Sequence, residues 1–211
     1  MGDSPARYEV RITLTENLLA SSPAQPAVYE EFIAARKRKD GEDRGDEVET
    51  LPAEKQEMTG WSVFHRDETG LFLFDYHLRG FLKSAAQAIT STKGMSAFRH
   101  KIDMWLFVQP RRLYIYDGLV PGSFSILQKP DGVLERPVRA MTMQGPRVTV
   151  KRSDYVSAGR RVDAQLAVLP LGQKEITEER LRAWLDYGAM QGLGEWRSGS
   201  YGRFSYEIIP Q

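Results

Sequence analysis

The sequence contains no cysteine. Disulfides and thiolate metal sites are therefore excluded, and a reducing, cytoplasmic location is expected. It has no run of about 18 apolar residues, so no membrane-spanning helix and no membrane partner are expected. The polar start, Met1 to Arg7, has no signal-peptide core. Histidine is scarce: His65, His77 and His100 are the only ones, and no HExxH spacing joins them, which argues against a zinc enzyme. Neither a GxSxG elbow nor a P-loop GK[ST] is present. Bulk charge of one sign is also missing, since 29 Lys and Arg face 28 Asp and Glu. What is present is 41% hydrophobic residues in 211. That is enough to bury a core in one domain, or in a domain carrying a long insertion.

The charge is unevenly distributed. Glu30 to Glu68 holds 7 Lys and Arg against 12 Asp and Glu, whereas Arg136 to Arg203 holds 12 against 7. A basic C-terminal region beside an acidic segment points to a localised anion-binding surface. Within the acidic segment, Lys39 to Thr50 has one large apolar residue, Val48, and is expected to be disordered.

Tyr8, Val10, Ile12 and Leu14 alternate with polar residues, the pattern of a strand with one buried face. Ala27 to Lys39 reads as a helix bearing Tyr29, Phe32 and Ile33. Order is expected at Trp61–Phe64 and Leu71–Phe74. Leu78, Phe81, Leu82, Ala85 and Ile89 then recur at helical spacing. Ile102–Gln109, Arg112–Tyr116, Val138–Met143, Arg147–Lys151 and Val162–Leu169 read as strands. Thr177 is placed as the N-cap of a second helix, with Glu178 and Glu179 in its first turn, Leu181, Trp184, Leu185 and Ala189 as its stripe and Gly192 as its stop. A last strand covers Arg203–Ile209. This order predicts an α+β fold: a ferredoxin-like or RRM-like sheet with two helices, an insertion over 20–73 and a C-terminal glycine-rich loop.

That loop, GLGEWRSGSYGRF, places Gly192, Gly194, Gly199 and Gly202 between a helix and a strand. Glycine allows positive φ and close backbone approach, and exposed N–H groups in such turns cradle phosphates. The helix–glycine–strand order rules out a dinucleotide fingerprint, which runs the other way. The alternative is a tight connection that packs the second helix on the sheet.

The glycine pattern, with the ending Tyr201-Gly202-Arg203-Phe204, resembles the hallmark loop of the RAMP superfamily, the RNA-binding backbone proteins of CRISPR effector complexes. ITEERLRAWLDYGAMQGLG is similar to the helix that precedes the loop. RVTVKRSDYVSAGRRVDAQLAVLP is similar to the family's paired strands, and FDYHLRGFLKSAA to the entry of its first helix. There Asp75, Tyr76 and His77 replace the usual Pro-Gly-Ser-Ser, and Lys83 replaces an arginine. The segment from Ala20 to Leu73 has no counterpart.

The resemblance implies one RAMP-like domain over 1–211 that holds single-stranded RNA and assembles with other effector subunits or with copies of itself. The residues expected at RNA are His77, Arg79 and Lys83 on the first helix. Around the Tyr155 hairpin they are Arg147, Lys151, Arg152, Arg160 and Arg161. In the loop they are Gly192, Gly194, Arg197, Gly199, Gly202 and Arg203. A positive surface would track phosphates. Some relatives cleave RNA with a histidine or with a loop aspartate and a metal. His77 is the candidate base here, and Asp40, Asp43 and Asp46 are the candidate loop carboxylates. None falls on a specific motif, so no catalytic residue, metal or cofactor is assigned. The alternatives are an endoribonuclease that processes CRISPR transcripts, or a structural or viral assembly protein of the same fold.

Overall fold

The computed structural model describes residues 4–30, 50–52, 60–90, 97–118, 125–142 and 145–211. It is an α+β fold with two sheets. Strand β1 (Ala6–Leu14) runs through the middle of the larger sheet. It pairs antiparallel with β11 (Arg161–Val168) on one side and β12 (Phe204–Pro210) on the other. The period-two pattern explains this placement. Val10 and Ile12 are fully buried and lie opposite Ala164 and Val162, while Arg11 and Glu9 face the other way.

Beyond β11 come β7 (Leu106–Gln109) and β8 (Arg112–Tyr116), which share its far edge. Next are β6 (Leu71–Phe74) and β5 (His65–Arg66). Helix α1 (Asp75–Thr90) packs against helix α3 (Glu178–Gln191), with Leu78, Phe81, Leu82 and Ala85 in the core beside Leu181, Trp184 and Leu185. Ile89, read as the last member of the α1 stripe, is 41% exposed. Thr177 caps α3 by accepting from the Arg180 amide, and Gly192 ends it at φ 85°.

A further helix replaces part of an expected strand. Ala97–Trp105 is helix α2, and only Leu106–Gln109 is extended. Phe98 and Ile102 lie one turn apart and both are buried. Phe98 meets Trp184 edge-on at 5.9 Å, and Lys101 pairs with Glu175 at 2.7 Å. These distant partners select helix where the apolar run alone suits either state.

The second sheet is built on a long hairpin, β9 (Gly132–Thr142) and β10 (Gly145–Val156). Both strands exceed the spans expected from sequence. The base of β10 pairs with β2 (Leu18–Leu19) and, in parallel, with β4 (Trp61–Val63), which pairs with β3 (Ser22–Pro23). Farther out the hairpin stands clear of the core, leaving Val148 67% and Val150 55% exposed.

The stretch 20–73 thus contributes strands to both sheets. A buried polar knot joins them. His65 Nε2 lies 2.9 Å from Ser22 Oγ and 3.1 Å from Tyr29 Oη, and Nδ1 lies 2.7 Å from Thr50 Oγ1. Apart from Thr50, which is buried, the acidic loop expected over 39–50, with Asp40, Asp43 and Asp46, lies outside the described residues. So does the helix expected from Ala27, beyond Glu30.

Candidate nucleic-acid interface

The glycine loop is folded back on its own chain. Gly192, Gly194 and Gly202 have φ of 85°, 71° and 71°. A Cβ on Gly202 would overlap the Leu193 carbonyl, one on Gly194 the Leu19 carbonyl and one on Gly192 the Tyr201 carbonyl. At Gly199, whose φ is ordinary, a Cβ would come within 2.7 Å of the Trp196 indole. Several N–H groups are used internally: Leu193 donates to Gly202 O and Gly202 to Asn17 O, both at 2.8 Å. Trp196 and Ser200 also take left-handed backbone, at φ 52° and 70°. A non-glycine residue there is uncommon and strained.

The loop lies against the start of α1. His77, Leu78, Leu193 and Gly194 line one narrow cavity together with Ile12, Leu73, Leu113 and Val162. His77 stacks on Tyr76 at 4.5 Å, its Nδ1 is 3.3 Å from Phe74 O and its Nε2 is 3.3 Å from Ser21 Oγ. Two positions along α1, the half-buried Arg79 side chain makes no hydrogen bond or ion pair among the described residues, and the same holds for Arg197 in the loop.

Most other cations expected at RNA have partners within the chain. Lys83 pairs with Asp103 on α2, Arg152 with Glu135 at 2.6 Å and Arg161 with Asp163 at 2.9 Å. The Arg203 Nε donates to Met190 O at 3.0 Å. Arg147 sits in β10 opposite Ala140.

Arg160 departs furthest from its expected role. It is 6% exposed and clamps the hairpin base, bonding Asp131 at 2.6 Å and also Asp117. Burial alone would raise the Asp131 carboxyl, but hydrogen bonds from Arg160 and from the Ser157 amide hold it below its ordinary value. The guanidinium is spent inside the protein, because a buried charge must be paired.

Sequence reading missed the contact between hairpin and loop. Glu195 accepts from Arg136 at 2.9 Å and from Ser153 Oγ at 3.0 Å, and it pairs with Lys151. Arg136 also stacks over the Trp196 ring, 4.3 Å from its centroid, and Trp196 stacks on Tyr201 at 5.1 Å. The charge of Glu195 was visible in the sequence, but its partners were not.

On the opposite face of the larger sheet, a cleft of about 600 Å³ is lined by Gln109, Arg111, Arg112, Tyr114, Tyr116 and Asp163 among others. Arg112 and Tyr114 there both donate to Asp67. Among the described residues no group of three or more His, Asp or Glu could hold a metal ion. No helix among them is long and apolar enough to cross a membrane.

No protein-family model matches the sequence, and a search of curated proteins finds no match. Among solved structures, the chain is similar to one from an assembly titled "Type IV-B CRISPR Complex". The identity is 11%, the TM-score 0.47, and the match covers 96% of this chain and 90% of that one.

Proposed function

We propose that this chain binds single-stranded RNA as a non-catalytic subunit of a CRISPR-type ribonucleoprotein, alongside other subunits or copies of itself. The observation that carries the reading is the packing of the glycine loop on the first turn of α1, where Leu193 and Gly194 lie beside His77 and Leu78. Helix N-termini favour anions, and Arg79 and Arg197 bring uncommitted charge to the two elements. The sheet order β12, β1, β11, β7/β8, with α1 following β1 and α3 following β11, supports a ferredoxin-like reading of 1–211 as one RAMP-like domain. Of the residues first expected at RNA, those favoured here are His77, Arg79, Lys151 and Arg197, while the loop glycines pack against the chain itself.

Titrating single-stranded RNA against the chain at several salt concentrations tests this. Log affinity is expected to fall with log salt at a slope of about −0.7 for each phosphate neutralised. Arg79→Ala and Arg197→Ala are each expected to flatten the slope by roughly that amount. Affinity that ignores salt, or no binding at low salt, would overturn the reading.

A second reading, an endoribonuclease, is favoured by His77 alone. A proton on Nδ1, shared with the Phe74 carbonyl, leaves Nε2 as the basic nitrogen. It requires cleavage of hairpin RNA by the purified chain, abolished in His77→Ala. A structural or assembly role without RNA requires that neither binding nor cleavage be found.

A further inference from the structure

We infer that Arg136, Lys151 and Ser153, on the inner face of the β9–β10 hairpin, form a binding site for an RNA phosphodiester, and that the chain's own Glu195 fills this site in the present structure. The inference rests on the RNA reading above and extends it to a site of known composition.

The three donors come from two adjacent strands and converge on one carboxylate. Arg136 and Lys151 are register partners across the hairpin, and Ser153 lies two residues along β10 on the same face. Arg136 and Lys151 both meet Oε1, and Ser153 Oγ donates to Oε2. Two cations therefore face one negative charge, so the site remains electropositive with Glu195 in it. The Arg136 Nε is buried and finds no hydrogen-bond partner among the described residues. Such a donor is costly to leave unmade. A carboxylate offers two oxygens in one plane, whereas the tetrahedral oxygens of a phosphodiester can engage donors outside that plane.

The group now in the site belongs to a loop held in unfavourable backbone. Glu195 is flanked by Gly194 at φ 71° and Trp196 at φ 52°. The left-handed Trp196 is secured by stacking on Tyr201 and under Arg136. Withdrawal of Glu195 would relieve like-charge repulsion of an incoming phosphate and release a strained residue. Glu195 is therefore a competitor of RNA for the hairpin, and it holds the hairpin against the loop until RNA arrives.

The competition gives Glu195→Gln an effect opposite to that of a mere structural contact. Glu195→Gln is expected to bind a single-stranded RNA oligonucleotide more tightly than the wild type. Its salt slope should be steeper by about 0.7, so its advantage shrinks roughly two- to threefold between 50 and 200 mM salt. Adding Lys151→Met to Glu195→Gln is expected to abolish the gain. Equal or weaker binding by a folded Glu195→Gln variant overturns the inference. If that variant melts early, Lys151→Met alone decides: its slope should be flatter than wild type by about 0.7, and a wild-type slope overturns the inference. If neither wild type nor Glu195→Gln binds RNA, inorganic phosphate is the probe. A rise in the Tm of Glu195→Gln that Lys151→Met removes keeps the anion site while the RNA reading falls. No rise overturns both.

Discussion

Gly202→Val is expected to cost about 3 kcal/mol or more of stability, lowering Tm by roughly 10 °C in a chain of this size. Two independent penalties combine. The residue sits at φ 71°, where a β-branched side chain is strained. Its Cβ would also overlap the Leu193 carbonyl and come within 2.8 Å of the Leu193 amide nitrogen. That backbone cannot yield easily, because Leu193 donates to Gly202 O while Gly202 donates to Asn17 O. Loss of RNA affinity by this variant would therefore accompany loss of fold. A variant with wild-type Tm and abolished RNA binding would show that the glycine serves the ligand instead. Gly80→Ala is the control. It makes the same kind of chemical change in the interior of α1, at φ below zero, and its added Cβ meets nothing within 4 Å. It is expected to raise stability by about 0.5–1 kcal/mol, checked by thermal melting of both variants side by side.

The second large effect is loss of stability in mild acid, centred on His65. Burial, followed by the nearby charges of His77 and Arg112, lowers its pKa from 6.5 to about 3. The unfolded chain binds the proton more readily than the folded one. Stability is therefore fully present above pH 6.5 and declines as the pH falls from 6.5 towards 3. The decline is about 1.4 kcal/mol per pH unit, or roughly 2 kcal/mol between pH 6.5 and 5. Asp67 does not confuse this window, and Asp163, whose carboxyl is raised by burial, acts in the opposite sense. Burial pushes the Asp67 carboxyl up, but hydrogen bonds from Tyr114 and Arg112 hold it below its ordinary 3.8, so its contribution is lost only at lower pH. Denaturant unfolding at pH 7 and pH 5 measures the difference. His65→Gln is expected to be less stable at pH 7, because the Ser22, Tyr29 and Thr50 hydroxyls lose an ideal partner. Its stability should change little from pH 7 to 5. If the variant keeps the wild-type dependence on pH, the acid sensitivity lies elsewhere.

The elements legible in the sequence are those whose burial pattern is local. Alternation at Tyr8–Leu14 and Val162–Val168 marked the central strands, and the Leu78–Ala85 stripe marked α1. Thr177, Glu178 and Gly192 bracketed α3, each through chemistry confined to a few residues. The glycine loop was legible as a place of special backbone, since positive φ is a property of single residues. What that backbone faces was not legible. Gly188 shows the limit: nothing near it in sequence marks it, yet a Cβ there would overlap the Phe81 ring on another helix.

Charge was the least legible feature. Arg160 and Arg161 are neighbours in sequence and were read alike. One is a buried clamp on Asp131 and Asp117, the other a half-exposed residue paired with Asp163. Glu195 is 59 residues from Arg136 and 42 from Ser153, so their meeting depends on how the hairpin folds back on the loop. Composition and periodicity by themselves pointed to the α+β class, the central strands, helices α1 and α3 and the glycine-bearing turn, because each follows from the local preferences of consecutive residues. Only the tertiary structure decided that α2 is a helix, that His65 is buried and neutral, and which cations remain available to an anion. Coulomb pairing and burial depend on distances between segments far apart in the chain, and those distances do not exist until the sheets have formed.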